Sequence, residues 1–269
     1  MSADPGRITP GHCRLLGAAS GVTYLLVVLG GIVCAASPVP GCPDWPRCYG
    51  AFLPPADLAA VVEMTHRFLA LLAAPLIIGA AVLGWRRRAA RWVRRPPAAA
   101  LALTAAVAVF GAFAVLTGLP RPLAAVDVSA ALLVLALLLA ARLVAVARRD
   151  APGLPDRLAL RTPLARWSAA AAAAVFLVLV SGVLTASPGS IARCLGWPLP
   201  GGVGAPLEMA GWPFAARRIL ALVAAGLIAG AVVHAWRSRP DNRRVARAAA
   251  GLAALLVTEL AIGLWLVLG

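Results

Sequence analysis

Residues 68–95 read FLALLAAPLIIGAAVLGWRRRAARWVRR, and this stretch decides the fold class. No side chain from Phe68 to Trp85 is charged. Extended upstream to about residue 62, the run suffices to cross ~30 Å of hydrocarbon as an α-helix, which takes about 20 residues. It then stops against Arg86, Arg87, Arg88, Arg91, Arg94 and Arg95. Arginines packed just past an apolar span mark a cytoplasmic loop.

The same pattern recurs along the chain. Apolar runs lie at about 15–36, 62–84, 98–118, 125–147, 167–187, 214–236 and 248–268. Of the 269 residues, 62% are hydrophobic and 13% charged, whereas a soluble domain is about 45–50% apolar and about 25% charged. The connections are too short for a soluble catalytic domain, so any chemistry must sit between helices or at the membrane surface. The first run, at about 22 residues, exceeds the 7–15-residue core of a secretory signal and is expected to remain as a span.

All 25 basic residues are arginine, and the net charge is +15. Besides the cluster after the second span, Arg148, Arg149, Arg157, Arg161 and Arg166 follow the fourth, and Arg237, Arg239, Arg243, Arg244 and Arg247 follow the sixth. The alternate connections hold only Arg47, Arg121 and Arg193. The arginines therefore set topology, and their placement argues against nucleic acid as a partner. These features predict an all-α, multi-pass protein of a bacterial plasma membrane with seven transmembrane helices and a cytoplasmic N-terminus.

The chain also matches itself at an offset of 151–152. Cys42-Pro43-Asp44-Trp45-Pro46-Arg47-Cys48 aligns with Cys194-Leu195-Gly196-Trp197-Pro198-Leu199-Pro200, His66-Arg67-Phe68-Leu69-Ala70 with Arg217-Arg218-Ile219-Leu220-Ala221, and Phe110-Gly111 with Ile262-Gly263. A unit of four spans repeats in the same orientation, which predicts two parallel four-helix bundles. The halves are 1–150 and 151–269. Gly269 corresponds to Thr117, so the expected arrangement is four spans plus three.

Few residues can carry chemistry. Cys42 and Cys48 lie in an outer loop stiffened by Pro43 and Pro46. In an oxidising compartment a small disulfide loop is the expected reading, with two free thiols as the alternative. Two cysteines without further ligands make a poor zinc site, and no Cys-x-x-Cys-His haem-attachment motif occurs. Cys194 lacks a mate because Pro200 stands at the matching place; Cys13 and Cys34 are read as packing residues.

Glu63 and His66 fall at i and i+3 near the start of the second span and share a helix side. Imidazole in a membrane bundle is a common haem ligand. A carboxylate one turn away can orient it or handle protons, and Arg67 can pair with a propionate. A buried Glu–His hydrogen bond that ties helices together is the other reading. Asp127 is placed at about the depth of His66. Arg217 and Arg218 are explained by snorkelling, while Glu259, in mid-span, needs an interior partner. His234 lies too deep to share an iron with His66 and is read as an interfacial residue, and His12 as part of a mobile terminus.

The Cys-Pro-Asp-Trp-Pro-x-Cys loop at 42–48, Glu-x-x-His-Arg at 63–67 and Leu-Thr-Gly-Leu-Pro at 116–120 together resemble the haem A synthase family, over nearly the whole chain. That resemblance implies two four-helix bundles that hold haem between paired histidines and oxidise the C8 methyl of haem O to the formyl of haem A for terminal oxidases. It implies Glu63 and His66 as catalytic residues, His66 as the iron ligand, Arg67 and Asp127 in the cofactor-binding set, and Cys42 with Cys48 as the outer cysteine pair. The implied cofactors are haem O, as substrate, and a b-type haem in the second half. The implied partners are haem O synthase and cytochrome oxidase subunits, with an oligomer possible.

The chain departs from the pattern in the second half especially. Asp127 and Arg217 stand where the family has histidines, Cys34 stands where it has an arginine, and the eighth span with its histidine has no counterpart. One of the family's histidines thus remains, leaving the second-half haem without a ligand. The expected function is a haem A synthase-like oxidoreductase. The alternatives are a non-catalytic haem-binding or oxidase-assembly paralogue, and a small transporter, which the absence of matching broken helices opposes.

Overall fold

A computed structural model of the chain describes residues 8–36, 41–87, 89–117, 121–154, 160–185, 212–238 and 241–268. Among these residues there are seven helices: α1 (Pro10–Ala36), α2 (Leu58–Arg86), α3 (Arg91–Thr117), α4 (Arg121–Asp150), α5 (Pro163–Thr185), α6 (Trp212–Ser238) and α7 (Arg243–Leu268). All seven are long and apolar enough to cross a membrane. Most reach several residues beyond the apolar runs seen in sequence. The backbone stays helical through the headgroup zone, where arginine and aspartate side chains are solvated, because its polar groups are best satisfied internally. Hydropathy marks only the hydrocarbon part.

Local sequence fixes where α2 begins. Asp57 is its N-cap, and the Asp57 Oδ2 accepts a hydrogen bond from the Ala60 N–H at 3.0 Å, satisfying one of the donors a helix start leaves open.

The chain divides into two compact units, Met1–Leu158 and Ala159–Gly269. In the first, α1 packs against α2 and α4, and α3 packs against the same two, so four helices close a ring with α2 and α4 on its diagonal. Its core has two layers. Cys13 and Leu16 share one with Ala80, Val93, Ala141 and Ala145; Ala19 shares the next with Ala73, Ile77, Ala100, Val134 and Leu138. Alanine dominates because membrane helices gain from close backbone approach rather than from the hydrophobic effect.

In the second unit α6 packs against α5 and α7. Val232 and Ala235 of α6 meet Ala249 of α7, with Leu164, Val245 and Ala253 around them.

Three expectations change here. His12 is not in a mobile terminus: it lies in the first turn of α1, whose start is capped by Thr9, and is 1% exposed. The helix begins ahead of the apolar run, so hydropathy missed it. Arg217 is buried rather than snorkelling. Glu259 has no interior partner among the described residues; it is exposed on α7, whose packing face against α6 is formed by Val245, Ala249 and Ala253. Cys194 and its loop lie outside the described residues, as does the side chain of Cys34.

Candidate functional site

The segment between α1 and α2 folds onto the start of α2. Cys42 and Cys48 form a disulfide, with an S–S distance of 2.03 Å, and both are fully buried against Ala60 and Met64 of α2. Cys48 and Ala51 exchange backbone hydrogen bonds of 2.8 and 3.2 Å across a tight turn, with Tyr49 and Gly50 at φ +52° and +76°. The Asp44 carboxylate closes that turn, accepting from the Tyr49 N–H at 2.6 Å and the Gly50 N–H at 2.8 Å.

Those backbone donors, Gly50 first, hold the Asp44 carboxyl below its ordinary value of 3.8. Its folded value is depressed, so its contribution to loop stability is present above 3.8 and lost as pH falls through the lower folded value. Proteolysis within 41–57 is therefore expected to stay flat from neutral pH down to that range and to rise only in stronger acid.

Arg67 fastens the loop to the helix. Its Nη1 donates to the carbonyls of Asp44 (2.8 Å), Pro46 (3.3 Å) and Arg47 (2.6 Å). Its Nη2 donates to Glu63 Oε1 at 2.5 Å, one turn back on α2. The other Glu63 oxygen, Oε2, accepts the Cys42 N–H at 3.1 Å. Both oxygens of this buried carboxylate are thus engaged, and neither partner is His66. Gly41 allows the close approach: a Cβ there would lie 2.5 Å from the Ala59 carbonyl carbon.

His66 faces α1. A Cβ on Gly30 would lie 3.2 Å from His66 Cε1, so the missing side chain makes room for the ring. His66 Nδ1 is buried and makes no hydrogen bond. The α1–α4 register follows from the core layers, in which Leu16 lies with Ala141 and Ala19 with Leu138. Continued at about 1.5 Å per residue, it puts Asp127 level with Gly30, and hence with His66, to within about one turn. Asp127 Oδ1 is likewise buried without a hydrogen-bond partner. The diagonal helices α2 and α4 therefore bring an imidazole and a carboxylate, each with an unsatisfied atom, to one layer of the bundle. An unpaired polar atom in such a place is costly unless a ligand or water meets it, and the imidazole suits haem iron.

Sequence reasoning singled out Glu63, His66, Arg67, Asp127 and the cysteines. It missed Gly30, Gly41 and the turn-closing role of Asp44. Among the described residues no group of three or more His, Cys, Asp or Glu side chains is placed to hold a metal ion.

Residues 13–269 match the COX15-CtaA family, described as cytochrome oxidase assembly protein. The chain belongs to that family. A heme A synthase from Symbiobacterium thermophilum is 31% identical over 269 aligned residues, covering 92% of this chain and 83% of the relative. A heme A synthase from Staphylococcus aureus is 23% identical over 240 residues, covering 87% and 78%. A protoheme IX farnesyltransferase from Halobacterium salinarum is 36% identical over 115 residues, which is 43% of this chain. The chain spans about a quarter of the length of the farnesyltransferases it matches. Seven membrane-crossing helices in a cytochrome oxidase assembly family member make this a multi-pass membrane protein.

Proposed function

We propose that the chain acts in haem A formation, as a membrane oxidoreductase that converts the C8 methyl of haem O to a formyl group, a net four-electron oxidation for which an external electron acceptor takes the electrons and water or dioxygen supplies the oxygen atom. The observation that carries this reading is His66 with an unsatisfied, buried ring nitrogen at the level of Asp127, in a chain similar to heme A synthases along most of its length. Haem iron, when held, supplies the redox chemistry at the porphyrin edge. The chain's own residues would bind and orient it: His66 would hold the iron, Asp127 would stand at about the same level, and Glu63 with Arg67 fixes the disulfide loop onto α2. Since both Glu63 oxygens are occupied, Glu63 positions rather than carries protons.

The segment shared with archaeal farnesyltransferases supports a step next to porphyrin farnesylation. On this reading the chain receives haem O from haem O synthase and supplies cytochrome oxidase assembly in a bacterial plasma membrane. A carboxylate is a weak ligand for ferrous iron, so His66 would hold a bound haem and Asp127 would add little. Asp127→His would supply a second imidazole, and the visible absorption of the reduced, haem-loaded protein should shift to a low-spin spectrum.

The test is expression in cells that make haem O and no haem A, followed by chromatography of the extracted haems. Appearance of haem A supports the proposed reaction. Bound haem O with no formyl product would overturn it and leave a haem-holding assembly role.

A further inference from the structure

The segment 41–57 displays more apolar surface than its size requires. Trp45, Tyr49 and Phe52 are exposed, Leu53 is 82% exposed, and Leu58 at the head of α2 is 74% exposed. The backbone that carries them is held by the Cys42–Cys48 disulfide, the Asp44 turn, Arg67 and the Gly41 contact. Its charges are few: Asp44 is spent on the turn, Asp57 on the helix cap, and the Arg47 guanidinium lies 5.4 Å from the Phe52 ring centroid, a favourable contact with the ring face.

Depth says what meets this surface. The 29 residues of α2 make a rod of ~44 Å, against ~30 Å of hydrocarbon. With Arg86 at one interface, about 20 residues of hydrocarbon reach back to His66, and Leu58–Thr65 stands at headgroup level. Residues 42–48 do not rise above that zone. Arg67, in the third turn, holds the carbonyls of Asp44, Pro46 and Arg47, and Glu63, in the second, holds the Cys42 N–H. The loop therefore lies alongside the first three turns of α2. Tryptophan and tyrosine at this level are the side chains that settle in the headgroup region, with an apolar body and a polar tip. Trp85, exposed at the arginine end of the same helix, holds the matching place at the other interface.

We propose that segment 41–57 is a lipid-immersed platform, with Trp45, Tyr49, Phe52 and Leu53 seated among the headgroups of the leaflet at the disulfide-loop end. The partner is the bilayer itself. The proposal is independent of what chemistry His66 performs.

The full chain in phosphatidylcholine nanodiscs, with acyl chains brominated close to the headgroup, tests it. The Trp45 contribution is the emission difference between the unaltered protein and Trp45→Phe. It is expected to lose most of its intensity in brominated lipid and to resist aqueous acrylamide. Quenching by acrylamide with no response to bromine would place the loop in water and overturn the proposal. Protection from both quenchers would mean a protein covers it, which also overturns the proposal. Leu53→Trp in the Trp45→Phe chain gives a second reading from a side chain that makes few contacts, and the same outcomes apply.

Discussion

Replacing His66 with alanine is expected to leave the purified protein with almost no bound haem while its first unit remains folded. Among the described residues of the first unit His66 is the sole imidazole at its level. His12 sits 18 residues further down α1 than Gly30, or ~27 Å away along the axis, and His234 belongs to α6 in the other unit. Losing a residue that merely orients a ligand weakens metal binding by about 10–100-fold, so losing the ligand itself should exceed ~100-fold. Asp127→Ala, by contrast, should keep most of the haem, because a carboxylate contributes little to ferrous iron. The haem-to-protein ratio from the Soret band, beside a melting curve, separates ligand loss from unfolding. Full haem content in the His66→Ala protein would mean that the iron is held elsewhere.

The second large effect is expected at Arg67. Its guanidinium binds three loop carbonyls and the Glu63 carboxylate, and the Arg67 and Glu63 side chains are only 13% and 8% exposed. Arg67→Ala leaves Glu63 as a buried, uncompensated carboxylate, a change that costs about 3–5 kcal/mol. The melting temperature in detergent should fall markedly, and the 41–57 segment should become protease-sensitive well below it. Glu63→Gln in the same chain removes the stranded charge and should recover part of the loss, so the two changes will cost less together than their sum. If Arg67→Ala melts like the unaltered protein with its loop protected, the ion pair does not hold the loop.

The seven spans are legible in sequence because each apolar run must cover the hydrocarbon, and nothing in the loops competes with that signal. Helix ends are not legible in the same way. α1 starts at Pro10 and α3 at Arg91, in polar sequence that hydropathy ignores. The burial of His12 was missed for that reason. At the site, Glu63 and His66 stand out because ionisable groups are rare inside spans, yet their shared side of α2 suggested an interaction between them. The structure instead pairs Glu63 with Arg67 and Cys42 and sets His66 against Gly30. The spacing of a helix shows which side chains are neighbours on its surface. It does not show which loop folds back onto them, and Arg67 binds carbonyls 20–23 residues earlier in the chain. Gly30 and Gly41 were invisible for a related reason: their value is the space they leave for another element.

The division of labour between the two halves also rests on particular residues. In the sequence self-match Arg217 aligns with His66; it is buried in α6, and guanidinium does not ligate iron. Haem is therefore expected in the first unit alone. A pyridine haemochrome spectrum of the purified full chain, with haem counted against protein, reports type and stoichiometry together. About one haem per chain is expected, lost in His66→Ala, since His66 is the imidazole that lies level with Asp127 in the first unit. Two haems per chain, or one that survives His66→Ala, would contradict it.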